Sequence, residues 1–138
     1  MSEDPFVGRW ELDPSTLRYE HGRPGRRAVY TIEAVSEGLT FTLDADDADG
    51  RPMAFTYGGK VDGEDRALPG PDLTLTLSRD ERLIESVLKK NGIVIDRWTR
   101  ALAPDGETMT ITQHGVRPNG EPFRNTGIYR RVDEVRGV

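Results

Sequence analysis

Arg97, Gln113 and Asn125 are the residues whose types and spacing could do chemistry in this chain, provided that three neighbouring strands set them side by side. A guanidinium beside two carboxamides offers directional donors and acceptors suited to an anionic or strongly polar group on a small molecule. The turns between the strands decide whether the three meet. Pro118-Asn119-Gly120 and Pro104-Asp105-Gly106 each fit a three-residue hairpin loop, a type I turn with Pro first and Gly in the left-handed position of a bulge. The later loop sets Arg117 against Glu121, hence Gln113 opposite Asn125, Ile111 opposite Gly127 and Met109 opposite Tyr129. The earlier loop sets Ala103 against Glu107, hence Ala101 opposite Met109, Thr99 opposite Ile111 and Arg97 opposite Gln113. The shared face also carries Ile95, Met109, Ile111, Phe123 and Tyr129, and is expected to be the inside. Trp98 then faces outward, which implies a covering loop, a homodimer contact, or a different register.

An arginine inside an apolar wall needs a carboxylate, ordered water or an anionic ligand group, because leaving it unpaired costs several kcal/mol. Glu85 stands opposite Arg97 if Lys90-Asn91-Gly92 is a three-residue loop, and Ser86 stands there if Asn91-Gly92 is a two-residue loop. Two readings follow from the polar row. One is an anchor at the wall of a pocket, with Tyr30, Phe41, Tyr57 and Tyr129 lining the same cavity. The other is an internal hydrogen-bond network that rigidifies the protein, the aromatic residues being core filling.

Other chemistry finds little support. Counting back from Gly50 in the acidic run Asp44-Ala45-Asp46-Asp47-Ala48-Asp49-Gly50 puts Ala45 at the first ligand position of a calcium loop and Thr56 where a bidentate Glu is required. There is no cysteine, and His21 and His114 are the two histidines, so disulfides, thiolate metal sites and a zinc centre are not expected. His21 sits in a loop of Gly, Pro and Arg, and neither histidine has a neighbouring nucleophile pattern. No cofactor and no metal are expected.

Positioning these residues falls to short runs of alternating apolar side chains: Ala28, Tyr30, Ile32 and Ala34, then Leu39, Phe41 and Leu43, then Leu73, Leu75 and Leu77. Asp49-Gly50, Asp62-Gly63, Asn91-Gly92, Asp105-Gly106 and Asn119-Gly120 separate the runs and supply the positive φ that a reversal needs. Strands are expected over 6–12, 28–35, 38–45, 51–58, 72–78, 82–89, 93–102, 107–115 and 122–131, with a short tenth over 59–62. Asp13-Pro14 suits the start of a helical turn reaching Tyr19, and 59–71, with Pro69 and Pro71 around Gly70, reads as largely a loop. Successive strands without crossover helices imply an antiparallel sandwich or an up-and-down barrel, and closure removes exposed edges.

Phe6-Val7-Gly8-Arg9-Trp10-Glu11-Leu12 resembles the Gly-x-Trp opening strand of calycins, the superfamily of lipocalins and fatty-acid-binding proteins. Gly127-Ile128-Tyr129-Arg130-Arg131-Val132 is similar to their closing strand. The resemblance implies one lipocalin-like up-and-down barrel of about eight to ten strands over residues 1–138. It also implies that Trp10 plugs one end, with a basic side chain of the closing strand near it. The broader pattern is closest to small bacterial lipocalin-like proteins. Two features depart from the fatty-acid-binding branch: 13–27 is too short and too broken by Pro14, Gly22, Pro24 and Gly25 for a two-helix lid, and Gly127 stands where that branch carries a carboxylate-binding Arg.

The 138 residues, with 35% apolar and 31% charged side chains, suit one core beneath a polar outer face. A net charge of −5 opposes polyanions despite the local patch of Arg18, Arg23, Arg26 and Arg27, so no nucleic-acid partner is expected. No apolar stretch approaches a membrane span, and the N-terminus lacks a secretory signal; a cytoplasmic protein without a membrane partner is expected. The sequence thus points to binding of a small hydrophobic or amphipathic molecule inside the barrel, anions included. The alternatives are a cyclase or isomerase that works in the cavity through Arg97, Tyr129 or Gln113, and a ligand-free structural or interaction barrel.

Overall fold

The computed structural model describes residues 4–68, 70 and 72–132. Ten antiparallel strands follow one another: β1 (Gly8–Tyr19), β2 (Arg27–Val35), β3 (Gly38–Asp46), β4 (Pro52–Gly59), β5 (Asp65–Ala67), β6 (Leu73–Asp80), β7 (Leu83–Lys90), β8 (Ile93–Leu102), β9 (Thr108–Val116) and β10 (Pro122–Val132). They form one up-and-down sheet in the order β4-β3-β2-β1-β10-β9-β8-β7-β6-β5, curled into a barrel whose seam lies between β4 and β5. The two ends of the chain therefore pair in the middle of the sheet, Trp10 opposite Arg131 and Leu12 opposite Tyr129.

Three local expectations are corrected. Residues 13–19 form no helical turn but continue β1 through a bulge, with pairing lost after Asp13 and resumed at Arg18 opposite Thr126. Asp13 Oδ1 accepts from the Ser15 amide (3.1 Å) and hydroxyl (2.6 Å), and the Thr16 hydroxyl donates to the Asp13 carbonyl (2.6 Å) while accepting from the Ile128 amide (2.8 Å). These bonds satisfy locally the groups that a helix would have paired along its axis. The short strand lies at Asp65–Ala67 rather than 59–62, because the Asp62-Gly63 turn comes first and Gly63 donates its amide to Leu77 (2.8 Å). Pro69 and Pro71, part of the expected loop, lie outside the described residues.

The decisive correction concerns the β8–β9 hairpin. The Ala103 amide donates to the carbonyl of Thr108 (2.9 Å), so the loop holds four residues, Glu107 included, instead of three. The Glu107 amide donates to Asp105 Oδ1 and its carbonyl accepts from the Arg131 amide (3.0 Å), which ties that residue to the turn and to β10 rather than to the β8–β9 ladder. One extra loop residue reverses the faces of a whole strand. Leu102 pairs with Met109, Arg100 with Ile111, Trp98 with Gln113 and Arg97 with His114. Trp98 and Arg100 consequently point inward and Arg97 outward.

One end of the barrel is packed solid. Phe6, Trp10, Ile32, Phe41, Ile84 and Met109 are fully buried there. The Trp10 indole donates to the Phe6 carbonyl (3.0 Å), and the Arg131 guanidinium lies 4.3 Å from the Trp10 ring. Arg131 also donates to the carbonyls of Pro5, Val7 and Gly106, so it laces the leading segment and the 103–108 turn onto the plug.

Candidate functional site

Above the plug lies a cavity of about 430 Å³; Arg100 does not line it but lies behind the lining residues Ser86 and Tyr57, to whose hydroxyls it donates. Its walls are Tyr30 and Leu43 on the β2–β3 side, Leu75, Leu88 and Trp98 on the opposite side, and Ile111 and Tyr129 between them. Tyr19, Met53 and Phe55 also line it yet stay 42–45% exposed, which places the opening beside the upper halves of β1 and β4.

Arg100 is 1% exposed and has no carboxylate partner among the described residues. Its Nη1 donates to the Ser86 hydroxyl (2.8 Å), its Nη2 to the Tyr57 hydroxyl, and its Nε to no acceptor among the described residues. Phe41, Tyr30 and Tyr57 present ring faces at 4.5, 5.5 and 5.7 Å from the guanidinium carbon, an aromatic cage that partly offsets the lost hydration. Burial drives the Tyr57 and Tyr129 phenols well above their ordinary range, so both stay neutral at neutral pH. Arginine keeps its proton at any such pH. Behind the wall formed by Ser86 and Tyr57 there is therefore a positive charge that no carboxylate of the described residues compensates, surrounded by hydroxyl dipoles and aromatic faces.

Arg97, the cation expected inside, lies on the outer face and forms an ion pair with Glu85 (3.1 Å). Neither alternative for its cross-strand neighbour holds. Asn91 and Gly92, at φ 54° and 79°, make a two-residue turn, and Ile95 then bulges, so that Val87 stands opposite Arg97 and Glu85 reaches it diagonally. Ser86 pairs instead with Trp98 and points inward toward Arg100. Asn125 and Gln113 do pair across β10 and β9; the β8 residue opposite Gln113 is Trp98, and the third polar partner is Asp96, which Gln113 reaches diagonally. Gln113 donates to Asp96 (3.0 Å) and accepts from Asn125 (3.2 Å). Asn125 Oδ1 accepts the amides of Glu20 and His21, and Nδ2 donates to the His21 carbonyl (3.0 Å). With both its atoms engaged twice, Asn125 acts as a clasp on the β1–β2 loop. Gln113 and Asn125 still line the upper wall, and Tyr30, Tyr57 and Tyr129 line the cavity as well. Phe41 stacks on Tyr57 at 5.2 Å and backs Arg100.

Arg100 and Asp96 were not singled out from sequence, and Ser86 was named only as an alternative neighbour of Arg97. Trp98 on the outer face was the signal that could have found them, since turning β8 over buries Trp98, Arg100 and Leu102 together.

Gly127 has a steric explanation. A Cβ there would meet Leu17 at 3.0 Å and Leu12 at 3.2 Å, the first delivered by the β1 bulge. A side chain at that position would require Leu17 and Leu12 to give way by a few tenths of an ångström; the interior cation comes from β8.

The acidic run is occupied internally. Asp44 and Asp46 pair with Arg27, Asp49 pairs with Arg23, and Asp47 caps the turn amides of Asp49 and Arg51.

No protein-family model and no curated protein matches the chain. Among solved structures it is similar to one described as REP1-NXSQ fatty acid transporter, with a TM-score of 0.64 and 14% identity over 92% of this chain and 96% of that one. A de novo designed fluorescence-activating beta barrel superposes with a TM-score of 0.49 and 14% identity over 95% of this chain and 100% of that one. At this identity the first likeness speaks to fold: the chain is a ten-stranded antiparallel up-and-down β-barrel.

Proposed function

We propose that this protein binds a small amphipathic anion inside the barrel, with the anionic group on Arg100 and the apolar body among Leu43, Met53, Leu75 and Leu88. The observation that carries the reading is a buried guanidinium with one unused N–H and no carboxylate partner among the described residues, hydrogen-bonded to Ser86 and Tyr57, which line a cavity of about 430 Å³. Pockets that enclose organic ligands combine apolar walls with a few convergent polar groups, and this volume falls in their usual range. Ser86, Tyr57 and Tyr30 supply the polar partners near the anion, while Trp98 and Tyr129 flank the body. The barrel-shaped fatty acid transporter is compatible with such a guest. A single cation among neutral hydroxyls suits a monoanion such as a carboxylate or sulfonate better than a phosphate dianion.

Binding of dodecanoate and dodecanol, followed by isothermal calorimetry and native mass spectrometry on the intact protein, tests the reading. Dodecanoate is expected to form a one-to-one complex and to bind at least tenfold more tightly than dodecanol. Equal affinity for both would remove the anion from the proposal, and absence of binding to either would leave a barrel filled for structural reasons.

A further inference from the structure

We infer that the β7–β8 hairpin tip docks on anionic lipid bilayers. Ile93, Val94 and Ile95 are 68%, 51% and 44% exposed, and Val116, at the same end of the neighbouring strand β9, is 59% exposed. The turn itself is made by Asn91 and Gly92, so the fold does not require aliphatic side chains at this tip. The bulge at Ile95 leaves that residue without a ladder partner, between Val94 opposite Lys89 and Asp96 opposite Leu88. It breaks the alternation that would otherwise turn every second side chain inward. A cluster of exposed aliphatic side chains of this kind marks an interaction site.

The surrounding charge selects the occupant. Lys90 has no ion pair among the described residues. Lys89 is paired with Asp65, Arg117 makes a 3.9 Å contact with Glu121, and Asp96 is turned toward Gln113. Asp72, next to the turn, accepts the Asn91 amide through its carbonyl and forms no ion pair with Lys90. An aliphatic tip flanked by Lys90 and Arg117 complements a surface that is apolar beneath and negative at its headgroups. A symmetric contact with a second copy would instead bring these like charges together. The hairpin also carries Leu88 and Trp98 on the cavity wall, so the tip stands at the open end of the barrel, away from the Trp10 plug. The absence of an apolar span in the sequence has no bearing on such surface docking. The docking surface does not rest on the proposed ligand, and stands or falls separately from it.

Flotation of the full chain with vesicles of phosphatidylcholine, with and without phosphatidylserine, tests this. The protein is expected to float with the phosphatidylserine vesicles and to be released by added salt. Val94→Ser with Ile95→Ser should weaken binding about tenfold, and Lys90→Ala about fivefold, with circular dichroism unchanged. The lysine variant lies outside the packed core and keeps the test open should the double variant fold poorly. No flotation, or flotation indifferent to both changes, overturns the proposal. So does self-association that the double variant abolishes while vesicles are ignored, an outcome that would assign the tip to a second copy.

Discussion

Arg100→Met separates a guanidinium kept for a ligand from one kept for the fold. Taking the charge out of water costs several kcal/mol after relaxation. Against that stand two hydrogen bonds from a charged donor, to Ser86 and Tyr57, each worth about 2 kcal/mol. The faces of Phe41, Tyr30 and Tyr57 add about 1 kcal/mol apiece. These contributions balance the penalty to within about 2 kcal/mol, and methionine fills similar space without charge, leaving two neutral hydroxyls that can bond to each other or to water. The empty variant should therefore unfold within about 2 kcal/mol of the wild type in urea. Its affinity for dodecanoate should fall by about 2 kcal/mol or more, roughly thirtyfold, because the anion loses its counter-charge. Dodecanol affinity should hardly move. A variant destabilised by more than about 4 kcal/mol, with dodecanoate affinity intact, would refute the reasoning and make Arg100 a structural cation.

Two further changes probe the surroundings of the site. Arg131→Met removes the cation over Trp10 and the donor to the carbonyls of Pro5, Val7 and Gly106, and should cost about 2 kcal/mol or more in urea unfolding, at little cost to dodecanoate affinity. Asp96 has its pKa raised by burial, opposed by hydrogen bonds from Gln113 and the Arg97 amide, so the folded state holds its proton more tightly than the unfolded chain does. Its contribution is thus lost as pH rises from the ordinary aspartate range through the raised value. Asp96→Asn should gain on the wild type across that acidic window and then level off, by about half a kcal/mol or less since the group is only partly buried; urea midpoints at several pH values measure this, and a gap that narrows with rising pH would contradict it.

How far the fold was legible depends on what each turn leaves to tertiary contacts. The strands follow from apolar alternation between Gly-bearing turns, and the last hairpin from Pro118-Asn119-Gly120, where Arg117 exchanges bonds with Glu121 and Gly120 as its type requires. The same Pro-Asp-Gly pattern at 104–106 failed because Glu107 is held by Arg131 of a distant strand segment, a contact that no local rule contains. The bulges at 14–17 and at Ile95 depend likewise on β10 and on strand twist. Gln113, Asn125, Tyr30, Tyr57 and Tyr129 were brought to one cavity by strand order alone, whereas the identity of the cation hung on the parity of one loop.

That parity also explains why the interior divides its polar groups by height. With β8 turned so that Trp98 and Arg100 face inward, Asp96 falls at the upper rim and the cation falls next to the plug. The carboxylate and the guanidinium lie on either side of Trp98, two inward positions apart, and each finds different company: Asp96 is drawn into the Gln113–Asn125 clasp that holds residues 20 and 21, and Arg100 is left to hydroxyls and rings. Had Asp96 stood one inward position lower, it would have neutralised Arg100 and closed the argument for an anionic guest. Its separation leaves the charge behind Ser86 and Tyr57 without a carboxylate partner among the described residues, and the apolar wall of Leu43, Leu75, Leu88 and Ile111 between the two levels is the stretch that the body of an amphiphile would cover.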